Sequence, residues 1–292
     1  KLTFHVVLGV AAVGLLTTIV PAQQAPPIAN LNSGQSDADP GEDALLDAEA
    51  TIEAMPAMPV AVFSAAASKS QELVVVSGGF NEQFRTSTQV QIFNLESRQW
   101  QESAMQLGTP RAMHGQVTMR DGRILVAGGL VGTVGDLSAT SSVEIVDPLN
   151  NRVTQARPMK RPMADHTMHL LDDGRILAVG NDTASAFDPR TNRWREIVRL
   201  RSPRNGHAST VLDDGRILVV GGVNNDTLEL IEPDEEFSTM LPVTLVRPLD
   251  DLQVAQLSDG RIWICGGQET TTGNTYDETY ILELQNSNVP SM

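Results

Sequence analysis

Five side chains stand at two recurring offsets from a repeated Asp-Gly step. Arg111 and Arg204 lie ten residues before one, and His114, His166 and His207 lie seven before one. Arginine offers a planar fork of donors that suits a carboxylate or other anionic partner. Histidine offers acid–base chemistry near neutral pH, or a nitrogen for a metal. Both also have a structural use, because their N–H groups can satisfy carbonyls where one element meets the next. Repetition in successive copies favours the structural use, since a catalytic constellation needs unlike residues at unlike positions. Positions one repeat apart are too distant for a metal shell of about 2.0–2.1 Å. The five are expected to line a binding face; no catalytic residue, metal or cofactor is expected. Two copies depart from the pattern, with Leu252 and Ser64 read at the histidine position.

Other chemistries lack their residues. There is no nucleophile elbow, HExxH pair or phosphate-binding loop. The single cysteine, Cys265, lies in the apolar run RIWICGG, which reads as a buried thiol and rules out an internal disulfide. A formal charge of −15 argues against a nucleic-acid partner, which needs a field of the opposite sign.

A phrase spells out the elements that must position these side chains. It reads DGRILVAGG from Asp121, DGRILAVGN from Asp173, DGRILVVGG from Asp214 and DGRIWICGG from Asp259, with a degraded copy, SQELVVVSGG, ending at Gly79. The glycines Gly78, Gly128, Gly180, Gly221 and Gly266 are 50, 52, 41 and 45 residues apart. A period of that length containing several short strands marks a propeller or similar array. Around Arg204 the unit reads as a strand over His207–Leu212 and a turn at Asp213–Gly215. A wholly apolar strand follows over Arg216–Val220, then a third strand over Leu228–Ile231 and a fourth through Phe237. Trp100, Val153 and Trp194 fall six residues past the ends of the third strands and should wedge between neighbouring units, with Phe237 at five. Gly78, Gly79, Gly128, Gly129, Gly180, Gly221, Gly222, Gly266 and Gly267 are assigned to structure along with Trp100 and Trp194. A residue without Cβ takes positive φ or admits a close neighbour.

Paired glycines after an apolar strand, an acidic residue ending the next strand, and Trp six residues on resemble the kelch repeat. The wording from Arg111 and from Arg204, an Arg, a His three later and then DGRIL-x-x-GG, is similar to kelch units of exported bacterial proteins and of the galactose oxidase propeller. The resemblance covers about Met58 to Leu284. It implies an all-β, kelch-type β-propeller with five recognisable blades of four antiparallel strands, whose second strands end near 79, 129, 180, 222 and 267. It places the loops 80–88, 130–141, 181–183, 223–227 and 268–278 on one face around a pore, with Arg111 and Arg204 at that pore. The second and fifth loops are the longest. The copper site of galactose oxidase is not matched: Tyr276 and Tyr280 both fall in the last repeat, and Cys265 lies in a strand. The fifth blade is expected to lack its own fourth strand, with Val289 at the Trp position. A segment near Thr51–Met58 would complete it; truncation of a longer chain is the alternative. The resulting reading is a protein- or glycan-binding interaction module, the alternative being a carbohydrate-active enzyme such as a sialic acid mutarotase-like protein.

Residues 1–22 read as a signal peptide: Lys1, an apolar run from Val6 to Val20, and small residues ahead of a cut after Ala22. The run is shorter than the roughly 20 residues of a membrane span. A secreted or periplasmic location is therefore expected, and a membrane contact only through an uncleaved anchor. Residues 23–55 read as an acidic Pro/Ala-rich linker, with Asp37, Asp39, Glu42, Asp43, Asp47, Glu49 and Glu53 and no basic residue. The propeller is assigned to 56–292.

Overall fold

The Asp-Gly-Arg phrase folds as a hairpin turn clamped by its own side chains. In a computed structural model, which describes residues 54–233 and 235–284, the backbone N–H groups of Arg123, Arg175, Arg216 and Arg261 donate to Oδ1 of the aspartate two residues earlier at 2.8–3.1 Å. Each guanidinium Nε reaches the other carboxylate oxygen at 2.5–2.9 Å. The charge pair thus fixes the turn and holds the strand register on either side of it.

Five larger antiparallel sheets follow one another along the chain, and no helix occurs among the described residues. The first sheet has β1 (Ala66–Ser70), β2 (Leu73–Ser77), β3 (Ser87–Asn94) and β4 (Gln99–Gln101) in order, with β5 (Gln106–Arg111) also paired to β3. The second has β6 (Gly115–Thr118), β7 (Ile124–Ala127), β10 (Val143–Asp147) and β11 (Arg152–Ala156), with a separate hairpin of β8 (Leu130–Thr133) and β9 (Asp136–Ala139). The third has β12 (Thr167–Leu170), β13 (Ile176–Asp188) and β14 (Arg193–Arg204). The fourth has β15 (Ala208–Val211), β16 (Ile217–Val220), β17 (Thr227–Ile231) and β18 (Thr239–Thr244). The fifth has β19 (Gln253–Gln256), β20 (Ile262–Cys265) and β23 (Thr279–Leu282), with β21 (Gln268–Glu269) and β22 (Asn274–Thr275) as a short hairpin.

The phrase strands are apolar throughout because each is packed on both faces. Ile124 and Val126 of β7 join Leu73 and Val75 of the first sheet, while Leu125 and Ala127 join Ile176 and Ala178 of the third. Leu177 and Val179 then join Ile217 and Val219 of the fourth, and Leu218 and Val220 join Ile262 and Ile264 of the fifth. Each fully buried Val, Leu or Ile among them contributes about 1.5–3 kcal/mol. The forward face of the fifth sheet differs. Trp263, the counterpart of Leu125, Leu177 and Leu218, is 40% exposed where those three are at 0%.

The paired glycines explain how successive sheets dock. A Cβ at Gly78, Gly128 or Gly221 would lie 2.4–2.5 Å from the carbonyl oxygen of Arg111, Met163 or Leu249 in the next sheet's approach. The following residues, Gly79, Gly129 and Gly222, donate their N–H to those same carbonyls at 2.8 Å. Gly266 meets nothing within 4 Å.

Several expectations need correction. The third repeat has a single glycine followed by Asn181, and its second and third strands run together as β13, paired first to β12 and then to β14. The segment 181–183 is therefore part of a strand, and the sheet has three strands, not four. The segment 130–141 is not a free loop: β8 and β9 fill it, pinned to the first sheet by Thr86 Oγ1 on Gly132 O at 3.2 Å and by Val134 N on Phe84 O at 3.0 Å. Phe237 precedes β18 and is 39% exposed beneath the guanidinium of Arg201, 4.6 Å from its ring centroid, so it wedges nothing. Trp194 does pack between neighbouring sheets, in one cluster with Leu125 and Val143 of the second, and its Nε1 donates to Arg157 O at 3.0 Å. Trp100 and Trp194 also lie against Phe93 and Phe187 with ring centroids 5.2 and 5.1 Å apart. The fifth sheet has three strands among the described residues, and residues 54–58 form no strand. Residues 51–53, Val289, the signal peptide with its cut and nearly all of the linker lie outside the described residues.

Candidate functional site

Arg111 and Arg204 close β5 and β14 and turn inward, each at 0% side-chain exposure. Arg111 Nη1 donates to Gly128 O at 2.7 Å and Ser142 O at 3.0 Å, and Nη2 to Ser142 Oγ at 2.7 Å and Glu144 Oε1 at 2.9 Å. Arg204 repeats the arrangement with Gly221 O, Thr227 O, Thr227 Oγ1 and Glu229. The two glutamates, on β10 and β17, also accept backbone N–H groups: Gly108 and Thr109 on Glu144, Arg201 and Ser202 on Glu229. Every charge is paired and hydrogen-bonded, as a buried ion pair requires. The two arginines are thus buried latches on carbonyls and on Glu144 and Glu229, the structural use that repetition favours, and neither guanidinium lines an open binding face. Glu144 and Glu229, their partners, went unnoticed because one acidic residue in a strand carries no distinctive spacing.

His114, His166 and His207 lie three residues after the positions of Arg111, Met163 and Arg204, each at 8% exposure or less. His114 Nε2 is 2.9 Å from Ser77 Oγ and His207 Nε2 is 3.1 Å from Thr167 Oγ1. The other ring nitrogen of each, and both nitrogens of His166, have no partner. Burial first, then the nearby Arg111, hold His166 down to about 4; burial and then Arg111 or Arg204 hold His114 and His207 at about 3. These rings are neutral at physiological pH. Among the described residues no group of three or more His, Cys, Asp or Glu is placed to hold a metal.

The residue just before each histidine position carries a feature that residue types alone conceal. Ser64, Met113, Asp165, Gly206 and Asp251 all have φ between 51° and 62°. Backbone bonds join them in sequence: Met113 N to Ser64 O at 3.0 Å, Asp165 N to Met113 O at 2.9 Å, Gly206 N to Asp165 O at 3.1 Å, and Asp251 N to Gly206 O at 2.9 Å. Ser64 therefore matches Met113 and not, as read from spacing, His114. Gly and Asp are among the residues that tolerate this left-handed conformation best. The girdle brings three carboxylates together. A Cβ at Gly206 would sit 3.0 Å from Asp165 Oδ2 and 3.1 Å from Asp250 Cβ, so those two aspartates close in on the backbone there and leave no room for a side chain. Burial, then Asp251 and Asp250, push Asp165 up to about 7. Burial also raises Asp250 and Asp251, Asp251 with help from Asp250. Asp250 is only 8% exposed; Thr270 Oγ1 donates to its Oδ2 at 2.9 Å, and its Oδ1 has no partner.

Asp250 also ties this rim to the segment 268–278, with its N–H on Gln268 O and that of Gln268 on its own carbonyl, both at 2.9 Å. There the Arg247 guanidinium lies 4.1 Å from the Tyr276 ring centroid and donates to Glu278 Oε1 at 2.7 Å. Tyr276 Oη donates to Glu269 Oε2 at 3.0 Å, and Tyr280 Oη to Glu278 Oε2 at 3.0 Å. Glu269, Tyr276, Glu278 and Tyr280 are all half-buried.

No protein-family model matches the chain, and no curated protein matches it in sequence. Its fold is similar to that of a solved structure, YjhT, with a TM-score of 0.60 at 16% identity over 74% of this chain and 75% of that one. At that identity the likeness carries the fold alone: an all-β, kelch-like β-propeller fold.

Proposed function

We propose that this is an exported, kelch-type propeller module, each large sheet a blade, that binds glycans through its acidic rim and the adjoining hairpin 268–278. The observation that carries the reading is Asp250, a buried carboxylate with an unused acceptor, crowded by Asp165 and Asp251. Sugar hydroxyls are donors that such acceptors take, and Tyr276 supplies the apolar ring face that sugar C–H groups cover. Export is supported by the composition of residues 1–22. A glycan array followed by calorimetry on the hits tests the reading: Asp250→Asn is expected to weaken binding at least tenfold. Unchanged affinity in that variant would remove the rim from the site.

One observation favours a second reading, a carbohydrate-active enzyme. With its proton retained to about pH 7, Asp165 can both give and take a proton at neutral pH. Ring opening of a free sugar needs a proton moved at the anomeric hydroxyl and at the ring oxygen. Anomeric exchange followed by NMR on N-acetylneuraminate and neutral sugars decides it, with Asp165→Asn expected to abolish any catalysed exchange.

A further inference from the structure

We infer that the open face of the fifth sheet is an interface between copies of this chain, on which the first sheet of a second copy docks head to tail. The fifth sheet carries one half of the junction that joins earlier neighbours. Gly266 and Gly267 take φ of 67° and 111°, close to the glycine pairs after β2, β7 and β16 at 61–66° and 91–115°. In those pairs the second glycine donates its N–H to a carbonyl of the next sheet's approach, whereas Gly267 N meets no carbonyl among the described residues. The forward face beside it is apolar and open. Trp263 is 40% and Ile281 48% exposed as neighbours across the ladder, with Ala255 exposed and Cys265 half-buried on the same face.

The first sheet carries the other half. Val74 and Val76, the counterparts of Ile124 and Val126, are half-buried where those two are at 0%. The carbonyls that receive a glycine N–H belong to Arg111, Met163 and Leu249, two residues before Met113, Asp165 and Asp251 of the girdle. Val62 holds that place before Ser64, and its carbonyl receives no backbone N–H among the described residues. The approach is already seated: Trp100 Nε1 donates to Pro56 O at 2.9 Å as Trp194 Nε1 does to Arg157 O, each carbonyl eight residues before its girdle residue. The girdle itself has two free ends, since Ser64 N meets no carbonyl and Asp251 O no backbone N–H among the described residues.

Within one chain the two halves do not meet, because a Cβ at Gly266 finds nothing within 4 Å. A second copy supplies the missing half in the form the chain already uses at three junctions. Docking joins Gly267 N to Val62 O and Asp251 O to Ser64 N of the neighbour, and it covers Trp263 with Val74 and Val76; buried Trp is what anchors an interface. The contact is heterologous, each copy offering one end and keeping the other, so assembly continues until a ring closes. Repulsion between chains of net charge −15 opposes it and is screened by salt.

Ala127 and Ala178, the counterparts of Cys265 and Val76, share one cluster where the second sheet meets the third, so Val76→Cys places a thiol to meet Cys265 of another copy. The native chain and a Val76→Cys/Cys265→Ser chain are mixed under mild oxidation at about 1 M salt, where the Debye length is about 3 Å. A mixed dimer that reductant dissolves is expected, with a light-scattering mass of two or more native chains. Adding Trp263→Glu to the native chain is expected to cut the crosslink at least tenfold while circular dichroism stays unchanged. A monomeric native chain without the mixed crosslink overturns the inference. So does a chain carrying Val76→Cys alone that closes its own disulfide and stays monomeric, since the two ends would then meet within one ring. Association that survives Trp263→Glu lies elsewhere on the molecule and overturns it as well.

Discussion

Asp165 and His166 are neighbours in the chain, yet the fold has pushed their acidities past each other. The carboxyl keeps its proton up to about pH 7, and the imidazole stays neutral down to about 4. Burial is the larger cause in both cases; the neighbours supply the rest. Behind Asp165 stand two more carboxylates, whereas His166 faces Arg111. The comparison extends to layers. One layer holds Arg111, Arg204 and three histidines, with each arginine matched to a glutamate and no histidine charged. The other holds three aspartates without a matching cation. The first layer recurs from sheet to sheet and reads as construction. The second occurs once, and uncompensated charge at a single place is where a ligand has something to supply.

The two layers respond to pH with opposite sign. Each histidine's folded pKa lies below its unfolded value near 6.5, so the unfolded chain gains protons first and stability falls as pH drops below 6.5. At pH 4 each of the three costs about 3 kcal/mol, from some 2.5 units at about 1.36 kcal/mol each. Asp165 is raised, so its folded form holds a proton that the unfolded form has lost; it costs on the order of 4 kcal/mol as pH rises from about 4 to 7. Three histidines outweigh one aspartate. Denaturant unfolding followed across pH should therefore show the protein losing most of its stability between pH 6.5 and 4. A flat profile over that range would mean the histidine layer is hydrated and the contrast between layers is lost.

Removing one partner of a latch should have the next largest effect. Glu229→Ala leaves Arg204 buried and unpaired and strips acceptors from Arg201 N, Ser202 N and Ser238 Oγ, with an expected loss of about 3–5 kcal/mol. Replacing Arg204 and Glu229 together by Met and Leu should recover much of that loss, because no stranded charge remains. Asp165→Asn should do the reverse of a latch deletion. By removing one charge from the crowded rim it should raise stability at pH 8 by about 2–4 kcal/mol and change little at pH 4, as read from unfolding midpoints. A loss of stability at pH 8 would mean that Asp165 is compensated in solution and belongs with the latches.

Much of the first layer was legible in the sequence and almost none of the second. The phrase beginning at Asp121 repeats because each sheet solves the same packing problem, so Gly128, Leu125 and Arg111 announce themselves by period. Repetition points Arg111 and Arg204 to a structural use, but spacing does not show their full burial, which takes them off the binding face. The rim escaped for a physical reason. Asp165 and Asp251 share with Ser64, Met113 and Gly206 a backbone conformation and a chain of N–H to carbonyl bonds, and these accept Ser, Met, Asp or Gly alike. Only the side chains differ, and a position that varies from repeat to repeat looks like noise. The run together of strands in β13 was also hidden, because loss of a single glycine after Gly180 gave little hint that Asn181–Thr183 would join a ladder.

The smallest effect isolates what burial adds to an Asp–Arg or Glu–Arg pair. Asp121 and Arg123 form the same kind of charge-assisted contact as the latches, at 2.6 Å, but with side chains 50% and 40% exposed. Water screens such a pair, and its worth is about 0.2–1 kcal/mol. Asp121→Asn keeps an oxygen to accept the Arg123 N–H and so preserves the turn while deleting the charge. The expected loss in stability is below about 1 kcal/mol and should vanish by 1 M salt, where the Debye length falls to about 3 Å. The Glu229→Ala loss should persist at that salt, because a fully buried pair is screened far less. A large, salt-resistant loss in Asp121→Asn would place the exposed turn pairs beside the latches as organisers of the fold. A small and salt-sensitive one leaves burial as the property that separates the charges that build this molecule from those that decorate its turns.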